Sequence, residues 1–264
     1  MEPIKVVIHG PFGKMGQEVA KAVCREPGLE LVGGVSRSAQ PGSYNLPDGT
    51  GTIPLSDSLE DVLASAQVVV DFTGAQGAMT AMRVATACGV NVVTGSTGLT
   101  ESNLQEAETL SQEHQVHIIV APNFALGAVL MIHLAKVAAR FFDYADLSEV
   151  HHEAKIDAPS GTALAIARAA LAGKGGAFTA PKVEKETLPG TRGGALEGLT
   201  IHSGRMPGRV AHHELVFGTL GQTLTLRHDS INRESFMPGV VMAIRESVKS
   251  PGLTVGLEKI MGLS

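Results

Sequence analysis

Short apolar runs alternate with helix-like stretches throughout the first half of the chain. These runs lie at residues 4–8, 29–35, 68–72, 90–94 and 116–120. Between them, apolar residues recur at helical spacing, as in residues 14–25, and a short helix is predicted at residues 59–64. Strands that alternate with helices in this way are joined by right-handed crossovers and pair in parallel. Consecutive apolar positions are typical of strands covered on both faces. We therefore predict a doubly wound, Rossmann-like parallel sheet.

The second half of the chain has a different pattern. A long apolar helix is predicted at residues 126–142, and another helix at residues 235–248. Strand-like runs lie between them, at residues 199–202, 214–217 and 222–227. The last of these runs alternates polar and apolar residues, as a half-exposed strand does. We predict a second α+β domain with a mixed or antiparallel sheet.

Composition and charge exclude several classes of function. The 264 residues carry a formal net charge of −5 and are only 4% aromatic, which argues against a nucleic-acid-binding surface. No apolar stretch approaches the roughly 18 residues of a membrane span, and no signal peptide is recognisable. Cys24 and Cys88 are the only cysteines, too few for a disulfide framework or a zinc site. We expect a soluble, cytoplasmic protein with no nucleic-acid or membrane partner.

A glycine-rich motif follows the first predicted strand and opens the first predicted helix. Residues 10–16 read GPFGKMG, so Phe12 stands where a G-x-G-x-x-G motif has its second glycine. Glycines at such a turn let a pyrophosphate approach the backbone, and the helix N-terminus offers N–H groups to it. The alternative is an ordinary glycine-rich turn. The position between a strand and a helix favours dinucleotide binding.

The second predicted strand ends at Ser36 and Arg37. An enzyme restricted to NAD has an acidic residue at this point, which binds the ribose hydroxyls. Ser36 lacks that carboxylate, and Arg37 can pair with the 2′-phosphate of NADPH through two N–H groups. We expect NADPH to be favoured over NADH. The alternative is that Arg37 is only a solvated residue at a strand end.

Residues 151–163 (HHEAKIDAPSGTA) concentrate proton donors and acceptors in one short segment. His151 and Lys155 are four positions apart, so they share a face on a helix and also on a strand. The following turn, residues 160–162, opens a helix-like stretch whose N-terminus attracts an anion. The segment predicts an enzyme that acts on a carboxylate substrate. The alternative is a polar loop whose side chains are solvated.

Two further polar segments receive no site in this interpretation. Residues 212–214 (HHE) suggest metal ligands, but adjacent histidines on a strand point to opposite faces, so we predict no metal site. Arg205 and Arg209 lie in a segment rich in Gly and Pro, which we interpret as a solvated loop; the alternative is that they contact the substrate or a neighbouring subunit.

These motifs, in order along nearly the whole chain, resemble one known family. The combination is similar to 4-hydroxy-tetrahydrodipicolinate reductases, also called dihydrodipicolinate reductases. The matching segments are residues 10–16, 71–73 (DFT), 95–98 (GSTG), 121–124 (APNF), 232–236 (NRESF) and, as the most specific string, residues 151–163. The resemblance implies an NAD(P)H-dependent reduction of 4-hydroxy-tetrahydrodipicolinate to tetrahydrodipicolinate, with loss of water, in diaminopimelate and lysine biosynthesis.

The resemblance also implies roles for individual residues. His151 is the implied acid/base and Lys155 the implied proton donor, while the substrate is held by His152, Ser160, Gly161 and Thr162. Cofactor contacts are implied for Gly10, Pro11, Phe12, Gly13, Lys14, Met15, Ser36, Arg37, Gly95, Ser96, Thr97, Ala121, Pro122, Asn123 and Phe124. Family members often carry an acidic residue at the position of Ser36, so strict use of NADH is in doubt here.

The resemblance further implies a domain organisation and an assembly. Residues 1–124 form the dinucleotide-binding domain, and residues 234–264 return to pack on it. Residues 125–233 are the implied domain for substrate binding and oligomerisation, and the implied assembly is a homotetramer.

Two other functions remain open from the residues. One is another nicotinamide-dependent amino-acid or semialdehyde dehydrogenase, which predicts a nucleophilic cysteine or a different acid/base pair. The other is a non-catalytic dinucleotide-sensing protein, which needs the glycine motif but has no use for residues 151–163.

The cofactor preference is directly testable. We expect a lower KM for NADPH than for NADH in steady-state kinetics, because Arg37 can pair with the 2′-phosphate. A clear preference for NADH would contradict this assignment.

Overall fold

The computed structural model describes residues 2–38 and 40–263, which divide between two units. The first unit comprises Met1–Phe124 and Phe236–Ser264, and the second comprises Ala125–Ser235. Within the described residues, no helix is both long and apolar enough to cross a membrane.

The first unit contains an eight-stranded, mainly parallel sheet. Its strands are β1 (Ile4–His9), β2 (Leu29–Val35), β3 (Gly42–Asn45), β4 (Thr52–Ser56), β5 (Val68–Asp71), β6 (Asn91–Thr94), β7 (His117–Val120) and β13 (Gly252–Val255). They lie in the order β13-β7-β6-β5-β1-β2-β4-β3. All neighbours pair in parallel except β3, which is antiparallel to β4 at one edge.

Helices cover both faces of this sheet. They are α1 (Lys14–Arg25), α2 (Ala75–Ala87), α3 (Glu101–His114), α6 (Met237–Ser247) and the short α7 (Leu257–Ile260). Helix α1 packs against α6, and α2 packs against α3. Every residue of β5 and β7 is buried, which requires cover on both faces and explains why these strands are apolar at consecutive positions. The predicted doubly wound sheet is confirmed.

The sequence predictions for the first unit differ from the structure at four places. Residues 59–64 form bends and turns and not a helix, although Leu59, Val62 and Leu63 are buried. The strands β3 and β4 were not predicted. The C-terminal segment adds a strand as well as a helix, since β13 pairs with β7 beyond α6. The predicted helix at residues 235–248 is divided into a 3₁₀ helix (Arg233–Phe236) and α6.

The second unit is a mixed five-stranded sheet with two helices on one face. Its strands are β8 (Tyr144–His151), β9 (Gly194–Leu196), β10 (Leu199–Arg205), β11 (Ala211–Thr219) and β12 (Gln222–Ser230), in the order β12-β11-β8-β10-β9. Only β8 and β10 pair in parallel. The helices are α4 (Leu126–Ala139) and α5 (Gly161–Lys174). The predicted second domain with a mixed sheet is confirmed.

Alternate positions of the central strands build the core of the second unit. Ala145, Leu147 and Glu149 of β8 are buried, as are His213, Leu215 and Phe217 of β11. The predicted half-exposed strand β12 is mostly exposed on both faces, because it lies at the edge of the sheet. The two helices approach closely at Gly173, where a Cβ atom would overlap the carbonyl oxygen of Lys136 on α4.

This close approach predicts a cost for a single added methyl group. Gly173→Ala is expected to destabilise the protein by about 1–3 kcal/mol, because the obstacle is backbone and cannot rotate away. Urea unfolding measures the change in the free energy of unfolding. Gly176→Ala is the matched control, since a Cβ atom at Gly176 meets no atom within 4 Å. Equal stability of the two variants would show that the helices do not pack as closely as described.

Candidate active site

The glycine-rich loop between β1 and α1 needs glycine at two positions. Gly10 has a φ of +85°, and its N–H donates a hydrogen bond of 2.8 Å to Val35 at the end of β2. At Gly16, a Cβ atom would overlap the carbonyl oxygen of Gly10. The first turn of α1 therefore lies directly against the loop. This is the close packing that a dinucleotide-binding turn requires.

The N-terminus of α1 fits a pyrophosphate. Gly13 is the N-cap residue, no side chain caps it, and the first turn contains no acidic residue. The N–H groups at the start of α1 are thus not competed for by a side-chain cap, and the helix dipole favours an anion there. Phe12, in the position of the second glycine, is 50% exposed and packs edge-on against Tyr44, with ring centroids 5.5 Å apart. Pro11 is buried, whereas Lys14 is exposed and Met15 is partly buried.

Ser36 and Arg37 follow directly after β2, as predicted. The backbone N–H of Ser36 donates to Ser56 on the neighbouring strand (2.9 Å), and its hydroxyl lies 3.2 Å from that of Ser38. Arg37 is exposed, and within residues 2–38 and 40–263 no acidic side chain forms an ion pair with it. Its guanidinium group therefore remains available to an anionic ligand.

The other predicted cofactor residues follow β6 and β7, at the same carboxyl edge of the sheet as the glycine-rich loop. Gly95 and Asn123 are partly buried, Thr97 and Pro122 are exposed, and Ala121 and Phe124 are buried. Ser96 differs from the others, because its hydroxyl donates to Asp71 (2.7 Å) and accepts from the N–H of Gly74 (2.8 Å). The hydroxyl of Ser96 is therefore already used within the protein.

In the second unit, the carboxylate of Glu149 joins three elements. Arg205 at the end of β10 donates two hydrogen bonds to it, of 2.9 and 3.0 Å, and the N–H of Ser160 donates a third, of 3.2 Å. His151, the last residue of β8, places Nδ1 2.5 Å from Oε2 of the same carboxylate. Glu149 is 1% exposed and His151 7% exposed. Because a carboxylate only accepts, Nδ1 carries the proton and Nε2 is left for proton transfer.

The pKa values of this pair follow from burial and neighbouring charge. Burial raises the pKa of Glu149, but hydrogen bonds from Arg205, Ser203 and His151 outweigh it, so the net shift is downward. Burial lowers the pKa of His151, and the charges of Lys155 and Arg205 add to this against the opposing effect of Glu149. Glu149 is therefore ionised at neutral pH, and protonated His151 is a stronger acid than free imidazole.

Lys155 is near His151, but the geometry differs from the predicted one. Residues 152–159 form neither a helix nor a strand, so the two side chains do not share a face of a regular element. The loop instead places the Lys155 ammonium 2.7 Å from the carboxylate of Asp157. The backbone N–H of Lys155 donates to the carbonyl of His152 (3.1 Å), and the positive charge of Lys155 contributes to the lowered pKa of His151.

The predicted substrate residues lie beside Glu149 and His151. Ser160 caps α5, accepting a hydrogen bond of 3.1 Å from the N–H of Ala163. Gly161 and Thr162 form the first turn of α5, and a Cβ atom at Gly161 would meet no atom within 4 Å. His152 is exposed. The predicted helix start at Ser160 is present, but the hydroxyl of Ser160 is already used by the cap.

The sequence analysis did not identify three residues that surround His151, namely Glu149, Arg205 and His213. The interpretation of Arg205 as part of a solvated loop is wrong, because Arg205 ends β10 beside β8. His213 lies across from Glu149 on β11, with Nε2 3.2 Å from Oγ of Ser160 and its ring 5.3 Å from that of His151. His212 pairs with Asp229 instead. Glu149 and His151 are two positions apart, which predicts that their side chains share one face of a strand. The pairing of β8 with β10 and β11 could not be predicted from the sequence.

Comparisons with known proteins decide the family. Residues 4–124 match the family model described as dihydrodipicolinate reductase, N-terminus, and residues 127–261 match the one described as dihydrodipicolinate reductase, C-terminus. The chain belongs to the dihydrodipicolinate reductase family. The resemblance stated from the motifs is thereby confirmed, and with it the prediction of an NAD(P)H-dependent oxidoreductase.

Individual members of the family are similar over their whole length. The 4-hydroxy-tetrahydrodipicolinate reductase of Dehalococcoides mccartyi strain BAV1 is 48% identical and is covered over 100% of both chains. That of Moorella thermoacetica is 42% identical, with 98% of each chain covered. A solved structure, dipicolinate-bound dihydrodipicolinate reductase from Paenisporosarcina sp. TG-14, is 37% identical with a TM-score of 0.87, over 98% of this chain and 99% of that one.

The burial of His213 predicts a pH dependence of stability. Burial, reinforced by the charge of His151, lowers the pKa of His213 from 6.5 to about 4. Between pH 6.5 and about 4, His213 is therefore protonated in the unfolded chain and neutral in the folded chain. The free energy of unfolding falls as the pH drops from 6.5 towards 4. The full loss is about 3 kcal/mol for a shift of this size.

Urea unfolding at several pH values between 7 and 4 measures this slope. His213→Asn is expected to flatten the dependence of stability on pH, because Asn does not titrate. His133→Asn, on helix α4, is the control and retains the slope because it leaves His213 in place. Equal slopes for the wild type and His213→Asn would contradict the predicted role of His213.

Proposed function

We propose that this protein reduces 4-hydroxy-tetrahydrodipicolinate to tetrahydrodipicolinate with NAD(P)H, in diaminopimelate and lysine biosynthesis. The observation that carries the proposal is the buried Glu149–His151 pair beside the N-terminus of α5, with Lys155 on the loop that follows β8. It is supported by full-length relatives that bear the name of this activity. In the balanced reaction, one hydride and one proton enter the substrate and one water leaves.

His151 and Lys155 are the proposed proton donors. The hydroxyl that departs as water takes up one proton, and the elimination releases one proton from the neighbouring ring carbon. The electron-rich product of hydride addition takes up another, so the net uptake is one proton. Glu149 holds the His151 ring by Nδ1, so that Nε2 is the atom that gives the proton. Burial lowers the pKa of His151, which makes its protonated form a better donor. Asp157 restrains the Lys155 ammonium on its loop. General acid help of this kind contributes roughly 10²–10⁴-fold to a rate.

The proposed substrate is a dicarboxylate, and the start of α5 suits a carboxylate. Gly161 and Thr162 belong to the first turn, where backbone N–H groups and the helix dipole favour an anion. Gly161 is exposed and carries no Cβ, so a carboxylate can approach its backbone. His152 is exposed on the loop nearby and is the proposed side-chain partner. Binding of dipicolinate, also a dicarboxylate, by the solved relative supports this choice of ligand.

The first unit is the proposed holder of the cofactor. Residues 10–15 offer the pyrophosphate cradle, and residues 95–97 and 121–124 border the same edge of the sheet. When bound, the reduced nicotinamide supplies the hydride. NADPH is the proposed preferred form, because Arg37 is exposed beside Ser36 and no acidic residue follows β2.

A homotetramer and a cytoplasmic location complete the proposal. The face of the second sheet that lies opposite α4 and α5 carries polar side chains such as His212 and Glu214, which are partly buried, and Arg227, which is exposed. A subunit contact through this sheet is what the family resemblance implies.

The deciding experiment follows oxidation of NADPH at 340 nm with freshly prepared 4-hydroxy-tetrahydrodipicolinate. The wild type is expected to show oxidation that depends on this substrate. Lys155→Ala is expected to lower kcat by roughly 10²–10⁴-fold with little change in KM, because a proton donor acts in the transition state.

Lys182→Ala, on an exposed loop, is the matched control and should retain full activity. A folded wild type without substrate-dependent oxidation overturns the proposed function. An unchanged kcat of Lys155→Ala removes only Lys155 from the mechanism.

A further inference from the structure

A second buried carboxylate lies in the first unit, outside every residue assigned so far. Asp71 is the last residue of β5 and is 0% exposed. Its carboxylate accepts hydrogen bonds from the hydroxyls of Thr73 (2.6 Å), Thr94 (2.9 Å) and Ser96 (2.7 Å). A carboxylate buried this completely is costly unless its oxygens are paired, and here three hydroxyls from two strand ends converge on it.

His9 adds a contact from a third strand end. It is the last residue of β1, it is 6% exposed, and its Nδ1 lies 2.9 Å from Oδ1 of Asp71. The geometry of this contact is not that of a full hydrogen bond. Burial raises the pKa of Asp71, but interactions with His9, Thr73 and Ser96 outweigh it and lower the pKa overall. The carboxylate is therefore ionised at neutral pH.

From this carboxylate, contacts reach the loops that follow β1, β5 and β6. The hydroxyl of Ser96 accepts a hydrogen bond from the N–H of Gly74 (2.8 Å). The hydroxyl of Thr94 also accepts from the N–H of Ser96 (3.1 Å). Thr73 lies directly against the glycine-rich loop, since a Cβ atom at Gly10 would be 2.8 Å from its Cγ2. Asp71 is therefore linked by contacts to both the glycine-rich loop and residues 95–97.

We propose that His9 and Asp71 are positioning residues for the dinucleotide, which hold the loops after β1, β5 and β6 in the arrangement that binds it. The inference rests on the cofactor site of the proposed function. Neither side chain has to touch the cofactor, because Ser96 and Thr73 carry their effect to the loop backbones. The location supports this role, since the network lies at the carboxyl edge of the parallel strands, where such sheets bind their ligands.

The test measures cofactor binding separately from stability. Asp71→Asn keeps the size of the side chain but replaces one accepting oxygen with a donor. Thr94→Val keeps the shape and removes the hydroxyl between Asp71 and Ser96. Titration of the fluorescence of bound NADPH gives Kd, and thermal unfolding gives Tm. Both variants are expected to raise Kd for NADPH about tenfold or more, and to raise KM for NADPH while KM for the dicarboxylate substrate stays within about twofold.

Thr86→Val is the matched control, because the hydroxyl of Thr86 is equally buried and bonds only within α2 (2.7 Å to the carbonyl of Met82). It is expected to lower Tm and leave Kd unchanged. If Asp71→Asn does not fold, Thr94→Val and His9→Gln decide the question. The inference is overturned if variants that fold bind NADPH within twofold of wild type. A wild type that binds neither NADPH nor NADH overturns the proposed function itself, which is a distinguishable result.

Discussion

The carboxylate of Glu149 is the interaction on which the proposed active site depends. It joins β8, β10 and the start of α5, because His151, Arg205 and Ser160 all donate to its two oxygens. A buried ion pair is a poor source of net stability, but removing one partner costs about 3–5 kcal/mol because it strands the other charge. Because Arg205 holds the carboxylate of Glu149 in place, the His151 ring that bonds to the same carboxylate has little freedom to change its orientation.

Each of the two units has a buried carboxylate that organises the loops around it. Asp71 accepts hydrogen bonds from hydroxyls at the ends of neighbouring parallel strands. Glu149 accepts them from an imidazole, a guanidinium and the N-terminus of a helix. In both units burial alone would favour the protonated acid, and hydrogen bonds reverse that effect on the pKa. The ionised oxygens accept from several donors at once, which gives loop residues a defined position without regular secondary structure.

How far the sequence could predict the fold depended on the range of the interactions. Helix α1 was predicted with its observed bounds, because apolar spacing and the glycine-rich turn are local signals. Residues 59–64 were predicted as a helix since Leu59, Val62 and Leu63 have helical spacing, yet these residues are buried from a series of turns. Strand β13 is short and was missed, because what makes it a strand is pairing with β7, more than a hundred residues earlier.

The sequence by itself determined the parallel sheet, the glycine-rich cradle, the cap at Ser160 and the family, since each depends on neighbouring residues or on a specific string. Only the tertiary structure decided which side chains complete the site. Arg205 lies 56 residues from Glu149 along the chain, and His213 lies 53 residues from Ser160. The register of β10 and β11 against β8 brings them together. The tertiary structure also showed that the Ser96 hydroxyl faces Asp71, because burial leaves that hydroxyl no water to bond with.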